Sequence, residues 1–184
     1  KELADVETQL SCLAHIADNS KLESYILKEF EKSNVIELDR FNQVVEEASK
    51  IEGPVYLRLT GNVGNPIVYS EDFEYTIGKA NVLRKGEKVA LVATGAMVHQ
   101  AICVADTLKE KGNVATVIDM HTIKPLDVNI LDELAEYDLI VTIEEHSVIG
   151  GLGSAVAEYF ACKKIKPVYL IFGIRDIFPH AGAY

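Results

Sequence analysis

Val89-Ala-Leu-Val-Ala-Thr-Gly-Ala-Met97 carries five apolar residues into a Thr-Gly pair and then into apolar residues at helical spacing. Five apolar residues without alternation suit a strand buried on both faces. The residues after it suit a helix over 96–111, with Met97, Ala101, Val104, Ala105 and Leu108 on one stripe and Gly112 as a left-handed cap. The same grammar repeats twice more. Val114 to Asp119 is a strand, followed by a helix that Asp127 caps and that buries Val128, Leu131, Leu134 and Ala135. Leu139 to Ile143 is a strand, followed by a helix over 152–162 with Leu152, Ala155, Val156, Tyr159 and Phe160 on one face. Pro167 to Phe172 is a fourth strand. Such alternation predicts an α/β fold of three layers, αβα, around a mostly parallel sheet.

Working outward, residues 67–87 are rich in Tyr, Glu and Asp and read as a linker with a short strand near Lys79 to Leu83. Before it, Val55 to Leu59 reads as a short buried strand ending in the glycine- and asparagine-rich loop Thr60 to Pro66. The front of the chain reads as amphipathic helices through Leu3 to Ile16, Leu22 to Phe30, and Phe41 to Ala48. The expected organisation is therefore a partial α/β segment over 1–66, a linker over 67–87 and an α/β domain over 88–184.

Eighteen basic against 28 acidic residues give a net charge of -10, which repels a phosphate backbone and argues against nucleic acid as a partner. No apolar run nears the roughly 20 residues of a membrane helix. Cys12, Cys103 and Cys162 are odd in number and sit in apolar stretches, which reads as reduced core cysteines in the cytoplasm. A start at Lys1-Glu-Leu3, without an initiator methionine or a signal segment, fits a truncated or incomplete sequence better than a secreted protein.

Chemistry in a parallel sheet gathers beyond the carboxyl ends of the strands. Two loops there stand out. Gly95 precedes a helix N-terminus, where the alternatives are tight strand-to-helix packing and anion or nucleotide binding. Glu144-Glu-His-Ser-Val-Ile-Gly-Gly-Leu-Gly-Ser154 brings Glu144, Glu145 and His146 together with Gly150, Gly151 and Gly153. Two carboxylates and an imidazole could perform acid-base work. Without a nucleophile or metal-spaced partner, the favoured reading is helix capping and subunit contact. His15, His99 and His121 are not expected to form a zinc site, and His180 has no role assigned by its surroundings. No Walker-type loop and no Gly-x-Gly-x-x-Gly after a strand is present.

Four motifs, in order and spacing, carry a resemblance: Ala93-Thr-Gly-Ala-Met97, Asp119-Met-His-Thr-Ile-Lys-Pro-Leu-Asp127, Glu144-Glu-His-Ser-Val-Ile-Gly-Gly-Leu-Gly-Ser-Ala-Val-Ala-Glu158 and Gly173-Ile-Arg-Asp176. Together they resemble the C-terminal domain of transketolases. Gly53-Pro-Val-Tyr-Leu-Arg58 resembles the last strand of the preceding pyrimidine-binding domain. The resemblance implies transfer of a two-carbon ketol unit between sugar phosphates, with thiamine diphosphate and Mg²⁺ bound in sites between two subunits. It also implies a homodimer, or assembly with the remaining transketolase domains or subunit, in which the C-terminal domain contributes dimer contacts and no catalytic residue. Gly95, Glu144, Glu145, His146, Gly150, Gly151, Gly153 and His180 are then the candidate interface or anion-loop residues.

The sequence departs from the family pattern in two places. No Gly-Asp pair occurs anywhere, so the Gly-Asp-Gly segment that holds the diphosphate is absent, and cofactor binding by this chain alone is not expected. The seventh residue after Pro54, where the family commonly places a phosphate-binding arginine, is Gly61. Two other readings stand beside transketolase: a section of a deoxyxylulose-phosphate synthase or of a 2-oxo acid dehydrogenase β subunit, and a standalone anion- or nucleotide-binding module.

Overall fold

A computed structural model describes residues 35–59, 66, 68–69, 75–164 and 167–178. The chain divides into two compact units, Lys1–Gly64 with Asp72–Ile77, and Asn65–Glu71 with Gly78–Tyr184. In the first, α1 (Val35–Ser49) takes in the helix expected around Phe41 to Ala48. Ala48 and Tyr75 are buried there, and the Tyr75 amide donates to Gln43 Oε1 at 3.0 Å. The helices expected before Val35 lie outside the described residues. Val55 to Leu59, expected as a strand, forms none: Val55 and Leu57 are half-buried, but Tyr56, Arg58 and Leu59 are exposed. The run has a strand's alternation but no ladder partner among the described residues, and without one its backbone groups gain nothing from strand geometry.

The second unit holds a five-stranded sheet, ordered β1-β3-β2-β4-β5, from β1 (Asn81–Arg84), β2 (Val89–Ala93), β3 (Ala115–Asp119), β4 (Leu139–Ser147) and β5 (Val168–Ile174). β2 to β5 are parallel, and β1 adds antiparallel to β3 at one edge. Three helices connect the parallel strands: α2 (Met97–Glu110), α3 (Val128–Leu134) and α4 (Leu152–Ala161). The side-chain period of two splits the strands cleanly. Leu91, Ala93, Val117 and Val141 pack with α2, whereas Ala90, Val92, Ile118 and Ile140 pack with α3 and α4. The three-layer α/β fold expected from alternating apolar runs and helices is the one found.

Local details sharpen that picture. Asp127 caps α3 by accepting the Asn129 and Ile130 amides at 3.2 and 3.4 Å, and its other oxygen accepts the Ala80 amide at 2.9 Å. Gly112, at φ +82, ends α2 while the Asn113 amide reaches back to Leu108 O at 2.9 Å. On α2 the buried residues are Val98, Ala101 and Ala105, and Val104 is exposed rather than buried. The pairs Met97-Val98 and Val104-Ala105 allow two stripes one residue apart, and small alanines bring the helix axis close to the sheet. Val128 is also exposed, being the first residue of α3. Cys103 and Cys162, expected in the core, are exposed: Cys103 sits on the solvent side of α2, and Cys162 is the capping residue just past the end of α4; Cys12 lies outside the described residues.

One face is left bare. Val168, Leu170 and Phe172 of β5 pair with Leu139, Val141 and Ile143, which face α2. α2 packs over β2, β3 and β4, and the β5 row remains 64, 46 and 59% exposed. Three aligned apolar side chains on an edge strand lacking any charge are a surface that other chains can cover.

Candidate functional site

β4 continues past Ile143 to Ser147 because β5 is long enough to give it a partner there, Ser147 against Ile174. Glu144, Glu145 and His146 are therefore strand residues, not loop residues. The ladder shifts register between Ile143 and Ser147; Glu144 and His146 lie together against the start of α4, and Glu145 is half-buried. Glu144 is buried at 2% exposure, a position carboxylates take only when fully paired. Its partners are backbone. The Leu152 amide donates to Oε2 at 2.8 Å and the Gly153 amide to Oε1 at 2.9 Å. Glu144 thus caps α4 from a neighbouring strand, setting a negative charge against the positive end of the helix dipole.

His146 completes the contact. Its Nδ1 lies 3.2 Å from Glu144 Oε2 and 3.2 Å from Ser147 O, two acceptors, so the Nδ1-protonated tautomer fits. The glycines make room for the carboxylate. A Cβ on Gly151 would fall 1.9 Å from Glu144 Oε2, one on Gly153 3.0 Å from Oε1, and one on Gly173 2.9 Å from Cγ. Gly150 is different: at φ +76 it turns the chain into α4, and its amide donates to Ser154 Oγ at 2.9 Å while that hydroxyl donates to Val148 O at 2.8 Å. Tyr169 locks the base, donating to Gly153 O at 2.7 Å beside Thr142 Oγ1 at 3.2 Å. Burial pushes its phenol up to about 12, so it stays a donor at any working pH.

Gly95 stands apart from this cluster. It is exposed at φ +59, in the turn where the Met97 and Val98 amides donate to Thr94 O and Gly95 O. Ala96, at the head of α2, offers no side-chain cap. His180 lies outside the described residues.

A polar group not singled out in the sequence closes the carboxyl end of β3. Tyr69 OH donates to Asp119 Oδ2, and Asn81 Nδ2 donates to Tyr69 OH at 3.1 Å. Asp119 is buried, its Oδ1 has no hydrogen-bond partner, and burial, partly offset by Tyr69, raises its carboxyl to about 6. Two residues on, burial lowers the His121 imidazole to about 4, with Asp127 opposing. Only an acid at the end of an apolar strand hinted at this group, since Tyr69 lies 50 residues away.

The two shifts oppose each other. Asp119 is raised in the fold, so the native state binds more protons between about pH 4 and 6, and stability falls as pH rises through that window. His121 is depressed, so the unfolded chain binds more protons between about pH 4 and 6.5, and stability rises with pH. Each effect is on the order of 2–3 kcal/mol. We expect Asp119→Asn to expose the rising slope and His121→Gln the falling one, measured by urea midpoints from pH 4 to 7. Parallel profiles for both variants and the parent would refute the assignment.

Residues 78–184 match the family described as Transketolase, C-terminal domain. This chain belongs to the transketolase family. It is 42% identical over 134 residues to a 6-deoxy-6-sulfo-D-fructose transketolase subunit of Clostridium sp. (strain MSTE9), covering 71% of this chain and 40% of that protein. It is 40% identical over 131 residues to 1-deoxy-D-xylulose-5-phosphate synthase of Psychromonas ingrahamii, covering 70% and 20%. A solved structure titled split gene transketolase, inactive beta4 tetramer, aligns with a TM-score of 0.72 at 40% identity, covering 78% of this chain and 47% of that one. The transketolase-family chain thus spans less than half the length of each.

The α4 amides that could receive a diphosphate already hold Glu144, and no three His, Cys, Asp or Glu side chains among the described residues are grouped to hold a metal ion. Nor is any helix among them long and apolar enough to cross a membrane.

Proposed function

We propose that this chain is the C-terminal section of a thiamine diphosphate-dependent, transketolase-like enzyme that moves a two-carbon ketol unit between sugar phosphates in the cytoplasm. It supplies subunit contacts and support, and it is inactive without the polypeptide that carries the cofactor site. Residues 88–184 are the C-terminal-type domain, 67–87 its linker and strand, and 1–66 the end of a pyrimidine-binding-type domain. The observation that carries this reading is Glu144: the acid in the family's most specific motif is spent on the α4 amides and His146, leaving no free acid-base pair. The same closure argues against anion binding at the Gly150 loop, because α4 already holds its anion.

The test is reconstitution. The chain is mixed with the polypeptide bearing the Gly-Asp-Gly segment, thiamine diphosphate and Mg²⁺, and assayed on xylulose 5-phosphate and on pyruvate. Activity on the ketose phosphate only in combination is expected; turnover by the chain alone would sink the proposal. Turnover of pyruvate instead would favour the alternative, a section of a deoxyxylulose-phosphate synthase or of a 2-oxo acid dehydrogenase β subunit, of which the 40% identity to deoxyxylulose-phosphate synthase supports the first.

The bare β5 row is the contact surface in this reading. Leu170→Asp with Phe172→Asp is expected to weaken association at least about tenfold, two exposed apolar anchors being lost, with the urea midpoint of the isolated chain nearly unchanged. Sedimentation showing unaltered association would place the contact elsewhere.

A further inference from the structure

His99 and Cys103 lie one turn apart on α2, the i and i+4 positions whose side chains stack on one helix face. Cys103 Sγ stands 3.6 Å from His99 Nε2. Zinc binds sulfur at about 2.3 Å and imidazole nitrogen at about 2.0–2.1 Å, and two such bonds at the tetrahedral angle place sulfur and nitrogen about 3.6 Å apart. The separation in the fold is thus the one a shared metal ion requires. A weak hydrogen bond between thiol and imidazole holds the pair at that separation, and a bound metal ion would replace it. Thiolate and imidazole are the donor pair that thiophilic divalent cations select over Mg²⁺ or Ca²⁺. Half-buried His99 is steadied by the helix, and exposed Cys103 leaves the outward positions open to solvent.

We propose that His99 and Cys103 form a two-ligand site for a thiophilic divalent cation of the Zn²⁺ class, with water in the remaining positions. The site is independent of the transketolase chemistry and of Glu144. Binding exchanges the Cys103 thiol proton for the metal: the S–H bond breaks, an S–metal bond forms, and one proton passes to the buffer.

Cd²⁺ serves as the probe, because a thiolate–metal bond gives an ultraviolet charge-transfer band. Titration of the reduced full chain is expected to raise that band to saturation, release one proton per metal and lose the band to competing Zn²⁺. Cys103→Ser should abolish the band, and His99→Ala should weaken binding at least about tenfold, since loss of even an outer-shell partner costs that much. Cys162→Ser should change nothing. Both ligands lie on the outer side of α2, and circular dichroism of the variants checks that they fold. A band that survives Cys103→Ser, an affinity indifferent to His99→Ala, or no band at millimolar Cd²⁺ would overturn the site.

Discussion

Glu144→Ala is expected to lower the unfolding free energy by about 4 kcal/mol. The Leu152 and Gly153 amides would lose their acceptor inside the protein, and His146 Nδ1 would lose its nearest carboxylate. A void would open among Gly151, Gly153 and Gly173. Glu144→Gln keeps the volume and one acceptor, so roughly half the loss should return. Gly151→Ala attacks the same contact from the other side: its Cβ would fall 1.9 Å from Oε2, and the carboxylate cannot retreat without leaving the helix. Urea titration measures all three, and a loss below about 1 kcal/mol for Glu144→Ala would mean that α4 does not depend on this cap.

Gly86→Ala should cost about 3 kcal/mol or more. A Cβ there would fall 2.2 Å from Val114 O, 2.6 Å from Ala115 C and 2.7 Å from Thr116 N, all of them backbone at the start of β3. Backbone cannot rotate aside as a side-chain tip can. Moving it would also break a closed set of hydrogen bonds, in which the Gly86 amide donates to Thr116 Oγ1 at 2.8 Å and Tyr137 OH donates to Gly86 O at 3.0 Å. Thermal unfolding would read the effect as a lowered midpoint. A midpoint within a degree or two of the parent's would contradict the close approach.

The layers of the sheet were legible because β2, β3 and β4 are buried on both faces and so are written as continuous apolar runs. Composition could not place the α2 stripe to the residue, since adjacent apolar pairs satisfy the period twice. The carboxyl end of β4 was half-legible. An acid at a strand end, followed by glycines before a helix, could be seen in the sequence, but that the acid reaches across to the helix start depends on how far β5 extends the ladder. The Tyr69–Asp119–Asn81 group was not legible at all, because its members meet only through the antiparallel return of β1 on β3. The exposed thiols were misread for a plain reason. Cys103 and Cys162 have apolar neighbours in sequence, but α2 turns those neighbours toward the core and Cys103 away from it, and Cys162 falls just past the end of α4.

That Glu144 and His146 hold structure and do no chemistry is the claim most open to direct test. The proposed complex of this chain with a cofactor-bearing polypeptide is assayed for ketol transfer with the parent chain and with Glu144→Gln and His146→Gln, and kcat is expressed per folded complex. The expected result is a kcat within about twofold of the parent for both variants, because both groups are engaged by contacts within this chain. A fall of a hundredfold or more in kcat, in complexes that still assemble and remain folded, would make the pair part of the acid-base machinery and contradict the account.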